Sequence, residues 1–209
     1  MTRSRGLGDV YKRQMEDLHD MPQQLYEGKI TKLREKTQGQ LVIKEYPTAS
    51  AHSGHFKSLM NELALKKSFR PDVIFIDYLN ICASSRFKGG NISSYFYVKA
   101  IAEELRGLAV EFNVPIFSAT QTTRTGYVST DIGLEDTSES FGLPATADFM
   151  FALISNEELE ALGQMKVKQL KNRYNDPSIN RAFIIGVDRA KMRLYDCLLY
   201  TSDAADEFS

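Results

Sequence analysis

The stretch DVIFIDYLNIC at residues 72–82 decides the fold of this chain. Its first six residues, 72–77, form a nearly unbroken apolar run rich in β-branched and aromatic side chains. Such a run is typical of a strand buried on both faces of a parallel sheet. The run ends at Asp77, and α/β sheets bind their ligands at the carboxyl ends of the strands. The sequence therefore predicts a central strand with Asp77 at the ligand-binding edge.

Two more apolar runs follow the first, VPIFSA at 114–119 and FMFALI at 149–154, and both predict buried strands. Between the first two strands, residues 95–112 form an amphipathic helix with apolar side chains along one stripe. The stripe consists of Val98, Ile101, Leu105, Leu108, Ala109 and Phe112. This alternation of strands and helices predicts an α/β domain of three layers around a mostly parallel sheet.

The segments that flank this core are less regular. Residues 52–68 have apolar side chains at helical spacing, and residues 41–44 (LVIK) predict a short strand. The polar segment 16–36 predicts helices that are broken near Pro22 and Gly28. After the third apolar run, shorter strands joined by turns predict an antiparallel extension of the sheet. These strands are predicted at 166–172, 182–187 and 192–195.

Composition excludes several classes of protein. The formal net charge is -1, which argues against a histone-like binder but allows loops that each contact a few phosphates. Cys82 and Cys197 lack the spacing of a zinc site or a disulfide framework, which indicates a reducing, intracellular compartment. No apolar run approaches the roughly 20 residues that cross a bilayer, so no membrane association is expected.

The two ends of the chain differ from the rest. Residues 1–14 (MTRSRGLGDVYKRQ) and 197–209 (CLLYTSDAADEFS) show no periodicity that fits their neighbours. Both resemble translated sequencing-adapter sequence, and such segments do not belong to a fold. We therefore expect the natural sequence to occupy residues 15–196 and to be cut at both ends.

Asp77 and Gln121 are the first candidate site residues. Asp77 can order a water on nucleotide-bound Mg²⁺, as the Walker-B aspartate does, or it can merely cap the following loop. Gln121 follows the second strand; its amide can contact a γ-phosphate, or it can be a solvated loop side chain. Because parallel neighbours bring both residues to one sheet edge, the pair favours a ligand site there.

Basic residues at two places suggest phosphate contacts. Lys171 and Arg173 follow a late strand and suit an arginine finger that reaches a neighbouring subunit's nucleotide, or simply a solvated turn. Arg86 and Lys88 lie in a glycine-containing loop, and Arg124 lies in a second one. Mobile basic loops can follow a nucleic-acid backbone, although most such loops in enzymes do not.

Four segments in this order resemble the DnaB-type replicative helicases, and the likeness extends to those of large tailed bacteriophages. The segments are DVIFIDYLNIC (72–82), KAIAEELRGLAVEFNVPIFSATQTTR (99–124), LEDTSESFGLPATADFMFAL (134–153) and LKNRYND (170–176), with EYPTASAHSGHFKSLMNEL (45–63) before them. The resemblance covers residues 15–196. It implies a RecA-like ATPase core, a homo-hexamer ring, and ATP with Mg²⁺ at the subunit interfaces.

The resemblance further implies 5′ to 3′ unwinding by translocation on single-stranded DNA, with a primase and a helicase loader as partners, in the cytoplasm of an infected bacterium. It matches Asp77 to the magnesium aspartate, Gln121 to the γ-phosphate sensor, and Lys171 with Arg173 to the finger pair. The loops at 83–93 and 122–135 fall where the family binds DNA.

One departure from the family is plain. The chain contains no GxxxxGK[ST], so the P-loop that cradles phosphates is missing from its N-terminal side, as is the upstream catalytic glutamate. We therefore expect the chain alone not to hydrolyse ATP. A RecA-type recombinase and a non-catalytic DNA-binding or oligomerisation module remain as alternative interpretations.

Overall fold

A computed structural model describes most of the 209-residue chain. The described residues are 20–87, 92–122, 133–134, 142–176 and 178–197. They divide into two compact units. The first comprises Met1–Lys44, Ser155–Val167 and Phe183–Ser209, and the second comprises Glu45–Ile154 and Lys168–Ala182.

Helices and strands alternate in the middle of the described chain, from the helix at Ser53–Lys67 to the strand at Gln164–Asn172. In order they are α1 (Gln23–Lys36), α2 (Ser53–Lys67), β1 (Ile74–Ile76), α3 (Ser94–Phe112), β2 (Ile116–Ser118), α4 (Gly142–Thr146), β3 (Phe149–Ile154), α5 (Glu157–Ala161), β4 (Gln164–Asn172), β5 (Ala182–Asp188) and β6 (Arg193–Asp196). Short 3₁₀ helices occupy Leu79–Ile81 and Arg189–Lys191. The three apolar runs thus form strands and the central helix is confirmed, with strands shorter than predicted for the first two runs. The predicted burial of the third run is wrong for the described part of the chain, since Phe149, Phe151 and Leu153 are 40%, 47% and 63% exposed.

The second unit is built on a parallel pair of strands. β1 pairs with β2 in the register Ile74↔Ile116, Phe75↔Phe117 and Ile76↔Ser118. Backbone contact continues beyond the strands, since the amide of Leu79 donates to the carbonyl of Ala119 at 3.1 Å. Parallel pairing requires a crossover connection, and α3 provides it. The carboxyl ends of both strands therefore lie side by side.

Helix α3 supplies most of the core of this unit. Its apolar stripe is buried, and Ile101 at its centre is only 1% exposed. One cluster contains Leu79, Cys82, Val98, Ile101, Ala102, Leu105 and Leu143, and another contains Met60, Leu108 and Val114. Full burial of one such large aliphatic side chain contributes about 1.5–3 kcal/mol. The helix ends at Asn113, which adopts the left-handed conformation (φ 52°) common at helix C-termini.

The other face of the parallel pair is not covered by the described residues. Phe75 is 73% exposed and stacks on Phe117, with the ring centroids 5.3 Å apart. The prediction that the first apolar run is buried on both faces is therefore wrong for the described part of the chain. The reason is that α3 packs against only one side of the strands. On the other side, the rings of Phe75 and Phe117 stack on each other, which reduces the apolar area that they expose to water.

In the first unit, two predictions fail. Helix α1 continues through Gly28 without a break, because one glycine costs a helix interior only about 1 kcal/mol. Residues 41–44 form no strand, and Leu41 and Ile43 are each 83% exposed. An isolated extended segment without a partner strand leaves its backbone groups unpaired, so apolar side chains alone do not make a strand.

The C-terminal strands confirm the predicted antiparallel pairing, in a second sheet that is separate from β1 and β2. The second sheet has the strand order β3-β4-β5-β6. β5 pairs antiparallel with β6 in the register Ile185↔Asp196, Gly186↔Tyr195, Val187↔Leu194 and Asp188↔Arg193. Gly186 is required by this pairing, since a Cβ there would lie 2.2 Å from the ring of Tyr195. No described helix is both long and apolar enough to span a membrane.

Candidate functional site

The structure brings Asp77 and Gln121 to the same edge of the parallel sheet. Three hydrogen bonds join the ends of the two strands and the segments that follow them. The Ser118 hydroxyl donates to the carbonyl of Ile76 at 2.8 Å, Thr120 donates to Asn80 Oδ1 at 2.8 Å, and Gln121 Nε2 donates to the Tyr78 hydroxyl at 3.4 Å. The predicted meeting of the two strand ends is thus observed.

The chemistry of this edge suits a hard cation. Asp77 is exposed and presents a carboxylate, and its neighbours Asn80, Thr120 and Gln121 offer further oxygen atoms. Among the described residues, no group of three His, Cys, Asp or Glu side chains could hold a metal ion by itself. Mg²⁺ commonly takes one or two protein carboxylates and completes its shell with water and phosphate oxygens. An exposed carboxylate such as that of Asp77 therefore fits a Mg²⁺ whose shell is completed by water and phosphate oxygens.

Lys171 and Arg173 form a second group with Arg106 and Asp148, here called the basic cluster. Arg173 Nη1 lies 2.8 Å from Asp148 Oδ1, and Arg106 Nη1 lies 2.7 Å from the same oxygen. Lys171 donates to the carbonyl of Pro144. The two predicted finger residues are therefore brought together, at the end of β4 and against the segment that joins α4 to β3.

Three cations share one carboxylate in the basic cluster. The pKa of Lys171 is lowered, chiefly by burial and then by the charges of Arg173 and Arg106, while Asp148 opposes the shift. Asp148 neutralises one of the three positive charges, so the basic cluster keeps an excess of two positive charges. Such an excess favours the binding of an anion.

The predicted DNA-contacting residues are only partly described. Arg86 is exposed, and its Nη1 atom pairs with the Glu103 carboxylate at 2.6 Å. The same carboxylate lies 3.8 Å from the Lys99 ammonium. Lys88 and Arg124 lie outside the described residues. The structure thus places Arg86 beside α3, paired with an acidic side chain of that helix.

Glu104, which the sequence analysis did not single out, anchors the segment that carries Arg86. It is 9% exposed, and its carboxylate accepts hydrogen bonds from three serine hydroxyls and two backbone amides. The donors are Ser53 Oγ (2.8 Å), Ser84 Oγ (2.6 Å), Ser85 Oγ (2.7 Å), the Ser85 amide (2.9 Å) and the Arg86 amide (3.3 Å). One carboxylate thereby joins α2, α3 and the start of the loop at 83–93.

Two opposing effects act on this carboxylate. Burial raises the pKa of Glu104, but the hydrogen bonds from Ser84, Ser85 and Ser53 together outweigh it and lower the pKa from 4.5 to about 2. A sequence signal existed, because Glu104 lies three residues after Ile101 and four before Leu108, on the buried stripe of α3. A charged residue at such a position needs buried partners.

Comparison with known proteins supports the resemblance to DnaB-type helicases. The chain is 48% identical over 169 residues to a DnaB-like replicative helicase of Enterobacteria phage T4, covering 80% of this chain. The chain spans 36% of the length of that relative. No family model matches the sequence.

Solved structures show the same fold. One solved ATPase domain superposes with a TM-score of 0.70 at 15% identity, covering 90% of this chain and 66% of that one. A DnaB-like replicative helicase, described with its interactions with primase, gives 0.62 at 17% identity, covering 82% of this chain and 39% of that one. The α/β fold is therefore that of RecA-like helicase ATPase domains, and the resemblance to DnaB-type helicases is confirmed.

Replacing Glu104 by Gln is expected to destabilise the chain by about 1–3 kcal/mol at neutral pH, since charge-assisted hydrogen bonds are lost inside the fold. Its pKa is lower in the folded state, so the carboxylate stabilises the fold above its ordinary value of 4.5 and progressively less as the pH falls toward 2. Urea denaturation at several pH values should show the two proteins converging in acid.

The matched control is Glu103→Gln, the same change one residue earlier on a more exposed side chain. It should alter the free energy of unfolding by less than about 1 kcal/mol. Equal losses for the two variants, or a difference that does not shrink in acid, would contradict the assigned role of Glu104.

Proposed function

We propose that this chain is part of the motor domain of an ATP-dependent replicative DNA helicase. The intact protein works as a homo-hexamer ring and moves 5′ to 3′ on single-stranded DNA. The observation that carries the proposal is the meeting of Asp77 and Gln121 at the ends of two parallel strands, in a chain 48% identical to a DnaB-like replicative helicase of phage T4. The helicase-derived part is assigned to residues 15–196.

The nucleotide is ATP bound with Mg²⁺, and Asp77 is the residue of this chain that holds the metal, through a water molecule. When bound, Mg²⁺ neutralises charge on the phosphate oxygens. The position supports this role because the carboxylate is exposed at the strand end, where α/β sheets bind nucleotides. Asp77 itself acts as a fixed negative charge that orients the water, and it transfers no proton.

Gln121 is assigned as the sensor of the γ-phosphate. Its amide makes one long hydrogen bond of 3.4 Å to the Tyr78 hydroxyl, a contact that it can exchange for a phosphate oxygen. The backbone of Gln121 leads directly into the loop at 122–135, which is assigned to DNA binding. Movement of the amide between two partners would therefore be passed to a DNA contact.

Lys171 and Arg173 are assigned as the finger pair, which acts on the nucleotide of the neighbouring subunit. The positive excess of the basic cluster supports this assignment, since a transferring phosphoryl group develops charge that cations stabilise. Arg86, Lys88 and Arg124 are assigned to phosphate contacts with single-stranded DNA.

The partners follow from the same proposal. A primase is proposed because one structural neighbour is described with its interactions with primase. A helicase loader and the cytoplasm of a phage-infected bacterium complete the proposed setting. The recombinase and the non-catalytic module have no observation of their own, and the first experiment below distinguishes them.

The first test uses a chimera, in which the matching 169-residue segment of the T4 helicase is replaced by that of this chain. Its ATPase rate should rise strongly with single-stranded DNA. Asp77→Ala should lower kcat on the order of 100-fold, because the metal loses its protein anchor. Steady-state kinetics with and without DNA measures both effects.

Asp72→Ala is the matched control, since this exposed aspartate lies before the opposite end of β1 and should leave the rate unchanged. A chimera that assembles but never hydrolyses ATP would support the non-catalytic module. Stimulation by DNA with joint-molecule formation and no strand displacement would support the recombinase.

Gln121→Ala should uncouple hydrolysis from DNA. We expect the Kd for nucleotide to change less than about threefold, because Gln121 is proposed to sense the γ-phosphate and not to bind the nucleotide. Stimulation by DNA should be largely lost, because the contact that links the γ-phosphate to the DNA-binding loop is removed. Nucleotide binding by fluorescence and ATPase titration with DNA give the two values. Gln40→Ala, at an exposed residue, is the control. Full stimulation in Gln121→Ala would reject the sensor role.

Arg173→Ala should lower kcat by about 1,000-fold or more while assembly is kept, as for other arginine fingers. Mixing Arg173→Ala with Asp77→Ala subunits should restore activity, because about one quarter of the interfaces in a random equal mixture combine an intact Asp77 with an intact Arg173. Activity measured across mixing ratios tests this. A mixture no more active than its two components would show that the finger does not act across the interface.

A further inference from the structure

We infer that Asp148 is a positioning residue that holds the Arg173 guanidinium ready for the phosphate of a neighbouring subunit, and that Arg106 keeps Asp148 in place. This inference rests on the proposed role of Arg173. In the proposed function Asp148 and Arg106 enter only through the charge of the basic cluster, and neither has a role of its own there.

Asp148 fixes Arg173 at two points. The backbone amide of Arg173 donates to the carbonyl of Asp148 at 2.9 Å, and the guanidinium Nη1 lies 2.8 Å from the Asp148 carboxylate. The first contact sets the end of β4 against the start of β3. The second sets the direction of the side chain that leaves that end. Both the base and the tip of the arginine are therefore held by one residue.

The contacts leave the guanidinium available to act on a phosphate. Arginine has five N–H donors. Within the described structure this group makes the ion pair with Asp148 and a long hydrogen bond of 3.4 Å from Nη2 to the carbonyl of Ala145. The side chain is 43% exposed, so a phosphate can approach it from solvent. Asp148 can thus orient the arginine and remain in contact while a phosphate binds.

Arg106 explains why Asp148 stays in position. Its Nη1 atom pairs with the same carboxylate oxygen at 2.7 Å and donates to the carbonyl of Thr146 at 2.7 Å. That oxygen, Asp148 Oδ1, is buried and accepts no hydrogen bond of good geometry from the described residues. The charges of the two nearby guanidinium groups therefore offset the cost of burying it. Arg106 comes from the rigid helix α3, so the carboxylate remains paired even if Arg173 shifts toward a phosphate.

The benefit is pre-organisation. An unrestrained arginine loses rotamer entropy when it is fixed against a phosphate. A side chain already ordered by Asp148 has lost most of that freedom before the reaction. The effect belongs to the transition state of hydrolysis, where the finger acts, rather than to binding of ATP by the other subunit.

The test compares three variants in the hexameric chimera: Asp148→Asn, Arg173→Ala and the double variant. Asp148→Asn should lower kcat by about 10-fold with little change in KM for ATP, because a loosened finger is still present. The double variant should be no slower than Arg173→Ala alone, since Asp148 acts through Arg173. General structural damage would instead add its own loss to that of Arg173→Ala.

Asp188→Asn is the matched control. It removes a carboxylate from another ion pair, with Lys191 at 2.8 Å, which includes no member of the basic cluster, and should leave kcat unchanged. Asp148→Glu keeps the charge but displaces it, so its kcat should lie between those of the wild type and Asp148→Asn. If Asp148→Asn fails to assemble, Asp148→Glu takes its place in the comparison with Arg173→Ala and the double variant.

A second measurement needs no hydrolysis. On the 209-residue chain, ¹⁵N NMR should show slow rotation of the Arg173 guanidinium about its Cζ–Nε bond, and faster rotation in Asp148→Asn. Unchanged rotation, unchanged kcat, or losses that multiply in the double variant would each overturn the positioning role. Full hydrolysis by Arg173→Ala would instead reject the proposed finger, while the NMR result would still report on Asp148.

Discussion

The parallel pairing of β1 with β2 is the constraint on which the site depends. Because the two strands run in the same direction in the register Ile74↔Ile116, their carboxyl ends finish side by side. Asp77 and Gln121 meet for this reason alone, although 43 residues separate Tyr78 from Gln121 in the sequence. A shift of one residue in this register would turn each side chain to the other face of the sheet.

Helix α3 converts this pairing into a rigid frame. Its buried stripe fixes it against the strands, and Ile101 at the centre is almost fully enclosed. One turn later, Glu104 holds the loop that carries Arg86, and Arg106 holds Asp148 beside Arg173. Two sites that act on different ligands in the proposed helicase are therefore attached to the same turn of one helix. A displacement of that turn would move both.

Sequence patterns predicted the strands, the central helix and the meeting of Asp77 with Gln121, because apolar runs and strand ends are local features. They did not predict that Phe75 is exposed, since burial depends on which elements cover a face. They also missed the roles of Glu104 and Asp148. A carboxylate in a sequence does not reveal its donors, and the contacts of Asp148 come from residues 42 positions before it and 25 after it, as the pairs with Arg106 and Arg173 show.

The two carboxylates are held in different ways, and the difference fits their positions. Glu104 is 9% exposed and is held by uncharged hydroxyl and amide donors inside the fold, where anions from solvent have little access. Asp148 is held by two guanidinium groups at partly exposed positions, where salt and competing anions weaken an ion pair. The hydrogen bonds of Glu104 to the loop are therefore shielded from competing anions, whereas a phosphate can share the contact to Arg173. The proposed finger must be both directed and available, and the partly exposed ion pair of Arg173 with Asp148 satisfies both requirements.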